Sequence, residues 1–190
     1  MAKRRFRKRW PVVATIVVVV VGGLGATSVF LVGSAQRRED RLAYLRYERA
    51  ALIPIQNGGR ITEQEMKPSL SELREGKLTQ TAALERARAW RFAFEGIRAE
   101  LSALRPPAFL GDITHKWSVA IDGYLVIATR FEDAARARGA ERTRLINAAA
   151  DAGNAADKLF DEAARVMQFH RRRLGLGATH SLPDPAARES

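Results

Sequence analysis

The chain has 190 residues, of which 46% are apolar and 28% charged, and it contains no cysteine. This composition is too apolar for a disordered chain, and the lack of cysteine excludes disulfides, thiolate metal ligands and a cysteine nucleophile. The formal net charge of +11 suggests a nucleic-acid partner, but six of the 32 basic residues lie in the first ten positions and the other 26 are interspersed with 21 acids. Because a nucleic-acid binder gathers its basic residues on one face, we expect no nucleic-acid partner.

Residues 1–10 form a basic stub that contains no acid. Positive charge beside a membrane segment usually stays in the cytoplasm, and moving one charge across the membrane costs about 2.3 kcal/mol per 100 mV. Arginines also follow the apolar segment, but they are accompanied there by acids such as Glu39 and Asp40. We therefore expect a cytoplasmic N-terminus and an extracytoplasmic remainder. The membrane-orienting residues of the stub are Lys3, Arg4, Arg5, Arg7, Lys8 and Arg9.

Residues 11–33 are predicted to form one transmembrane helix, because they carry no charge and a helix of this length spans about 35 Å, against about 30 Å for a bilayer core. A cleavable signal peptide cut near Ala35 is the alternative, but its apolar region would be only about 7–15 residues long. Gly22 and Ala26 are spaced to allow close packing of two such helices in a homodimer. Abundant arginine and alanine are typical of high-GC bacteria, so the expected location is a bacterial cell membrane.

Residues 34–175 are predicted to form an extracytoplasmic bundle, and residues 176–190 a disordered tail. The expected fold is all-α, with the transmembrane helix followed by an antiparallel up-down four-helix bundle. The first helix should continue from the membrane to about residue 53, where Pro54 and the Asn57-Gly58-Gly59 sequence are expected to end it. Residues 60–78 should form short helical turns, with Thr62-x-x-Glu65 as a capping box.

Three further helices are predicted from apolar residues that recur every three or four positions. The first covers residues 80–105 and ends at Pro106-Pro107; the next begins with Asp112 as N-cap and ends at Gly139. The last covers residues 141–173, and its alanine-rich stripe should face the large side chains of the other two. The stripe of the first helix is Trp90, Phe94, Ile97, Leu101 and Leu104. The stripe of the middle helix is Ile113, Trp117, Ile121, Tyr124, Ala128, Phe131 and Ala135, and that of the last is Leu145, Ala149, Ala152, Ala156, Leu159, Ala163 and Val166.

A di-metal site of the ferritin type needs two Glu-x-x-His pairs and two further carboxylates in the bundle core. Asp112-x-x-His115 is the only carboxylate-x-x-His sequence in the chain, and antiparallel packing would bring His170 to a similar height. A site formed by these three residues is geometrically conceivable, but His115 falls off the apolar stripe and His170 opens the basic run 171–173. We therefore expect no metal, no cofactor and no catalytic residues, and hence no enzymatic activity.

Aromatic residues are the remaining candidates for a ligand pocket or a protein contact. They include Trp90, Phe92, Trp117 and Tyr124, which at helical spacing are also typical of an ordinary core. Trp90 and Phe92 cannot share one face of a helix, so one of the two should be exposed. An exposed aromatic side chain beside arginine would indicate a contact with another protein.

Leu101-x-x-Leu104-x-Pro106-Pro107, followed by His115, Tyr124 and an alanine-rich last helix, resembles uncharacterised single-pass membrane-anchored helical proteins of high-GC bacteria. The layout is also similar to the extracytoplasmic sensor modules of bacterial chemoreceptors, although the chain shows neither a second membrane span nor a signalling domain. The three sustained apolar stripes, together with the lack of a chemical site, lead us to expect a non-enzymatic interaction module that binds another envelope protein or a component of the cell surface. The alternative is a small-molecule or lipid binding and sensing bundle with a pocket between aromatic-rich helices.

Overall fold

The structure, a computed structural model, describes the backbone of residues 10–177 and the side chains of residues 35–177. The basic residues at positions 3–9, the side chains of the predicted span 11–33 with Gly22 and Ala26, and residues 178–190 of the predicted tail lie outside this description. Within the described part of the chain, no helix combines the length and the apolar character that crossing a membrane requires.

The described chain is all-helical, as predicted, and residues 10–177 contain no strand. It divides into two compact units, one that ends at Leu42 and one that begins at Ala43. The helices, with a π-helical turn (Thr62–Met66) and a short 3₁₀ helix (Ala108–Leu110), are α1 (Trp10–Ile61), α2 (Lys67–Arg74), α3 (Gln80–Ala103), α4 (Ile113–Arg136) and α5 (Gly139–Arg173).

In the second unit, neighbouring helices of the bundle run in opposite directions. Trp90 of α3 contacts Phe131 of α4, and Phe94 contacts Tyr124, so residue numbers rise along one helix as they fall along the other. The same order holds between α4 and α5, where Trp117 packs against Phe160 and the Tyr124 hydroxyl bonds to Asp157. The C-terminal part of α1 adds Tyr44, Tyr47, Ala51, Ile55 and Ile61 to the same apolar core.

The predicted end of the first helix at Pro54 is wrong, because α1 continues to Ile61 with Pro54 inside it. Proline removes one backbone donor from a helix interior, at a cost of about 3 kcal/mol. Packing on both sides offsets this cost: Ala51 and Ile55 are fully buried, and Gly58 lies against Phe94 and Ile97 of α3. Tertiary contacts therefore stabilise α1 through residues 54–59, where proline and glycine would otherwise end the helix.

The predicted capping box at Thr62 and Glu65 is also wrong, because α1 passes directly into the π-helical turn without a break. The Thr62 hydroxyl donates a hydrogen bond to the Gly58 carbonyl at 3.0 Å, and the Lys67 amide closes the turn on the Thr62 carbonyl. A π turn inserts one extra residue into a helix, which shifts the faces of the residues that follow. Pro68 then occupies the first turn of α2, where a missing N–H is tolerated.

The predicted stripe of α4 is confirmed, because all seven of its residues are buried. The stripe of α5 is confirmed only in part: Leu145, Ala149, Ala156 and Ala163 are buried, whereas Ala152, Leu159 and Val166 are only partly buried. The buried face of α5 is rotated relative to the predicted stripe, and it includes larger side chains that the stripe lacks. These are Ile146, Phe160 and Met167.

Close approach of α4 and α5 confirms that small residues face this interface. A Cβ atom added at Gly123 would lie only 2.8 Å from the Cβ of Ala156, and one at Gly153 would lie 3.3 Å from Ile127 Cδ1.

The predicted caps of α4 are confirmed only in part. Asp112 precedes α4 but makes no capping bond, and Gly139, with φ of +55°, is the first residue of α5 rather than the end of α4.

Candidate functional site

Three of the four aromatic residues singled out in the sequence lie in the core. Trp90, Trp117 and Tyr124 are buried, and each ring contacts a ring on another helix at 4.8–5.0 Å between centroids. Phe92 is 81% exposed, which confirms that Trp90 and Phe92 occupy different faces of α3. The structure thus brings the three buried rings into packed contacts and leaves the fourth at the surface.

A polar network joins the π-helical turn to α4 and α5, and no motif in the sequence predicted it. The Tyr124 hydroxyl donates to Asp157 Oδ1 at 2.7 Å, and Asp157 Oδ2 lies 3.2 Å from Lys67 Nζ. Lys67 also pairs with Glu63 at 2.6 Å. Burial opposes the charge of Lys67, but its hydrogen bonds and ion pairs with Glu63 and Asp157 outweigh that effect and raise its pKa.

Glu65 connects the same turn to α3. Its Oε2 accepts a hydrogen bond from the buried Trp90 indole at 3.3 Å, and its Oε1 lies 3.3 Å from Arg60. A buried indole N–H needs an acceptor, so this contact satisfies the one polar group of Trp90. The i, i+4 spacing of Glu63 and Lys67 was visible in the sequence, but the partners Asp157 and Trp90 lie far away along the chain.

A groove of about 230 Å³ opens beside this network, between the π turn and α2 on one side and α4 and α5 on the other. The predicted site residues Trp90, Phe92, Trp117 and Tyr124 do not line it. Its lining residues are Thr62, Met66, Lys67, Leu70, Ser71, Arg74, Ile127, Ala149, Ala150, Gly153 and Asn154.

A buried ion pair joins α1 to the end of α5. Arg171 contacts Glu48, and the two side chains are only 17% and 11% exposed. The Tyr44 hydroxyl donates to the Met167 carbonyl at 2.8 Å and lies 3.2 Å from Glu48 Oε1. Burial, followed by the charge of Glu48, raises the pKa of Tyr44 well above its ordinary value of 10.0. Arg171 is therefore a structural residue, whereas its neighbours Arg172 and Arg173 are exposed, as a solvated helix end requires.

The histidine and aspartate residues considered as metal ligands either contact other side chains or are exposed. His170 packs against the rings of Phe109 and Phe169, and burial followed by the charge of Arg173 lowers its pKa. Asp112 lies 4.0 Å from Lys116, and His115 is exposed. Among the described residues, no group of three or more histidine or carboxylate side chains is placed to hold a metal ion.

Comparison with known proteins adds no relative: the chain matches no protein-family model, no curated protein and no solved structure.

Proposed function

We propose that this protein is a membrane-anchored, extracytoplasmic, non-enzymatic interaction module of the bacterial cell envelope. The uncharged residues 11–33 between basic flanks support the anchor, and the excess of positive charge before them supports a cytoplasmic N-terminus. The bundle then serves to present a surface to another envelope protein.

The exposed side chain of Phe92 is the observation that carries the protein-binding part of this proposal. Aromatic residues are enriched in the centres of protein interfaces, where a few of them supply most of the binding energy. Phe92 is the most exposed of the large apolar side chains in the described bundle, at 81%. Arg88 lies one turn before it on the same face and is also exposed, which is the pairing of aromatic and arginine that interfaces favour.

The surroundings of Phe92 suit a helical partner. Ala89, Gly96 and Ala99 lie on the same exposed face of α3, and small side chains allow a second helix to approach closely. Phe92 would then act as the single large side chain that inserts between residues of the partner. A partner with an apolar recess and nearby acids would complement both Phe92 and Arg88.

Cell fractionation tests the anchor. We expect the full-length protein to stay with the membrane fraction after washing with high salt and with carbonate at alkaline pH, because a spanning apolar helix is not released by either treatment. Replacing Val18 and Val20 by arginine should release it, since each charge at the centre of a span costs about 2.5–3.5 kcal/mol. Full-length protein in the aqueous fraction, or a product cut near Ala35, would contradict the anchor.

Photo-crosslinking tests the Phe92 surface. We expect a photoreactive phenylalanine at position 92 to form one discrete adduct in the native membrane, and Phe92→Ala to weaken binding of the identified partner about 30-fold, as loss of a central interface anchor does. The matched control is the same probe at Phe169, an aromatic residue on α5 that is 55% exposed. Equal adducts from both positions would show that position 92 has no special role in binding. An adduct between two copies of the chain would show that the Phe92 surface mediates self-association and does not bind a different protein.

A further inference from the structure

The groove beside the π-helical turn has an apolar floor and a cationic rim. We propose that it binds a single-chain anionic amphiphile, with the acyl chain on the floor formed by Met66, Leu70 and Ile127 and the carboxylate or phosphate head at Arg74. This proposal is independent of the Phe92 surface. Ligand binding, the alternative function predicted from the sequence, would then take place in this groove and not in a pocket between the aromatic rings.

The groove has an apolar floor because three of the four α5 residues that line it are small and carry no polar side chain. Ala149, Ala150 and Gly153 occupy this stretch of α5, and a Cβ at Gly153 would already be 3.3 Å from Ile127 Cδ1. The helices therefore cannot fill the space with α5 side chains, and Met66, Leu70 and Ile127 line what remains. An apolar segment of a ligand buries this surface at about 25 cal/mol per Å².

The rim selects an anion. Among the residues that the structure describes, no carboxylate lines the groove, whereas the cations Lys67 and Arg74 do. The charge of Lys67 is already matched by Glu63 and Asp157. Arg74 instead donates to a neutral group, the Asn147 amide oxygen, at 3.2 Å, so its guanidinium charge is available to an anionic head. A guanidinium binds carboxylate and phosphate through paired hydrogen bonds, and Ser71 and Asn154 provide further polar groups at the rim.

The size of the groove limits the ligand. Its volume of about 230 Å³ is smaller than the 300–1,000 Å³ of typical sites for drug-sized ligands. It accommodates part of one acyl chain rather than the two chains of a phospholipid. The π-helical turn contributes Thr62 and Met66 to the lining of the groove, and such turns occur frequently at functional sites.

Photoaffinity labelling of the full chain in nanodiscs of zwitterionic lipid tests the proposal. The probe is decanoate with a diazirine in its chain, and the expected label lies on peptides that cover residues 62–74 and 149–154. Arg74→Gln should raise the half-saturating concentration about tenfold, as loss of a charge-assisted hydrogen bond does. Ala150→Leu should abolish the label by filling the groove. The matched control is Arg165→Gln, which removes an exposed cation from α5 outside the groove and should leave the labelling unchanged.

Competition identifies the head group. Unlabelled decanoate represents a free fatty acid, and decyl phosphate represents a phosphate-headed lipid. The stronger competitor identifies the class of head group that the groove binds. Decanol has the same chain without charge and should compete at least tenfold more weakly than either. Equal competition by decanol would overturn the anionic site. Labelling that is unchanged in Arg74→Gln and Ala150→Leu, with the helical circular dichroism of both variants intact, would overturn the groove itself.

Discussion

Replacing Arg171 with alanine should lower the free energy of unfolding by about 3–5 kcal/mol, because it leaves the carboxylate of Glu48 buried without a counter-charge. The two side chains are 17% and 11% exposed, so water does little to screen the charge that remains. The Tyr44 hydroxyl lies 3.2 Å from Glu48, but its single proton is donated to the Met167 carbonyl, so Tyr44 cannot replace a full positive charge. Chemical denaturation of the full chain in detergent, followed by circular dichroism, measures the change.

Arg172→Ala is the matched control, because Arg172 is the next residue along the helix and is exposed. Its effect should stay within about 0.5 kcal/mol, as for most surface substitutions. The double variant Glu48→Leu with Arg171→Met should recover most of the loss, because an apolar pair of similar volume often replaces a buried ion pair without penalty. Equal effects of Arg171→Ala and Arg172→Ala would contradict the buried pair.

Adding one methyl group at Gly123 should destabilise the bundle by about 1–3 kcal/mol, although alanine is the better helix former. The new Cβ would lie 2.8 Å from the Cβ of Ala156 and 3.5 Å from its Cα. Both atoms are fixed to the α5 backbone, so no side-chain rotation relieves the contact and the two helices must separate. Thermal unfolding of Gly123→Ala and wild type measures the effect.

Gly96→Ala is the matched control for the same change in a helix interior. Nothing lies within 4 Å of the position that a Cβ at Gly96 would take, so only helix propensity acts, and this variant should be about 1 kcal/mol more stable than wild type. Combining Gly123→Ala with Ala156→Gly exchanges the positions of the methyl group and should restore part of the stability. Stabilisation by Gly123→Ala and Gly96→Ala alike would mean that α4 and α5 do not approach closely at this point.

The repeating apolar residues of α3 and α4 were sufficient to predict their helices and most of their buried faces. Trp90, Phe94 and Ile97 follow one another at intervals of four and three residues, and all are buried in the structure. Pro106-Pro107 likewise marked the end of α3, which stops at Ala103. These features depend on neighbours within about one turn of the chain, so local sequence specifies them.

The polar contacts that define the candidate sites could not be predicted in this way. Arg171 and Glu48 are separated by 123 positions, and Trp90 finds its acceptor in Glu65, 25 positions earlier. Such pairs depend on the rotation of each helix about its axis and on its height relative to the others. A small error in rotation, like the one in the predicted face of α5, moves Phe160 and Met167 from surface to core.

The sequence by itself determined that the described chain is helical, which residues of α4 face the core, and that one of Trp90 and Phe92 must be exposed. Only the tertiary structure decided that α1 continues past Pro54, that Phe92 is the exposed member of that pair, and that a groove lies beside Thr62–Met66. The reason is energetic. Helix propensity and periodicity act over a few residues. Burial of Ala51 and Ile55 in the core and the contact of Gly58 with a distant helix outweigh the local cost of proline and glycine.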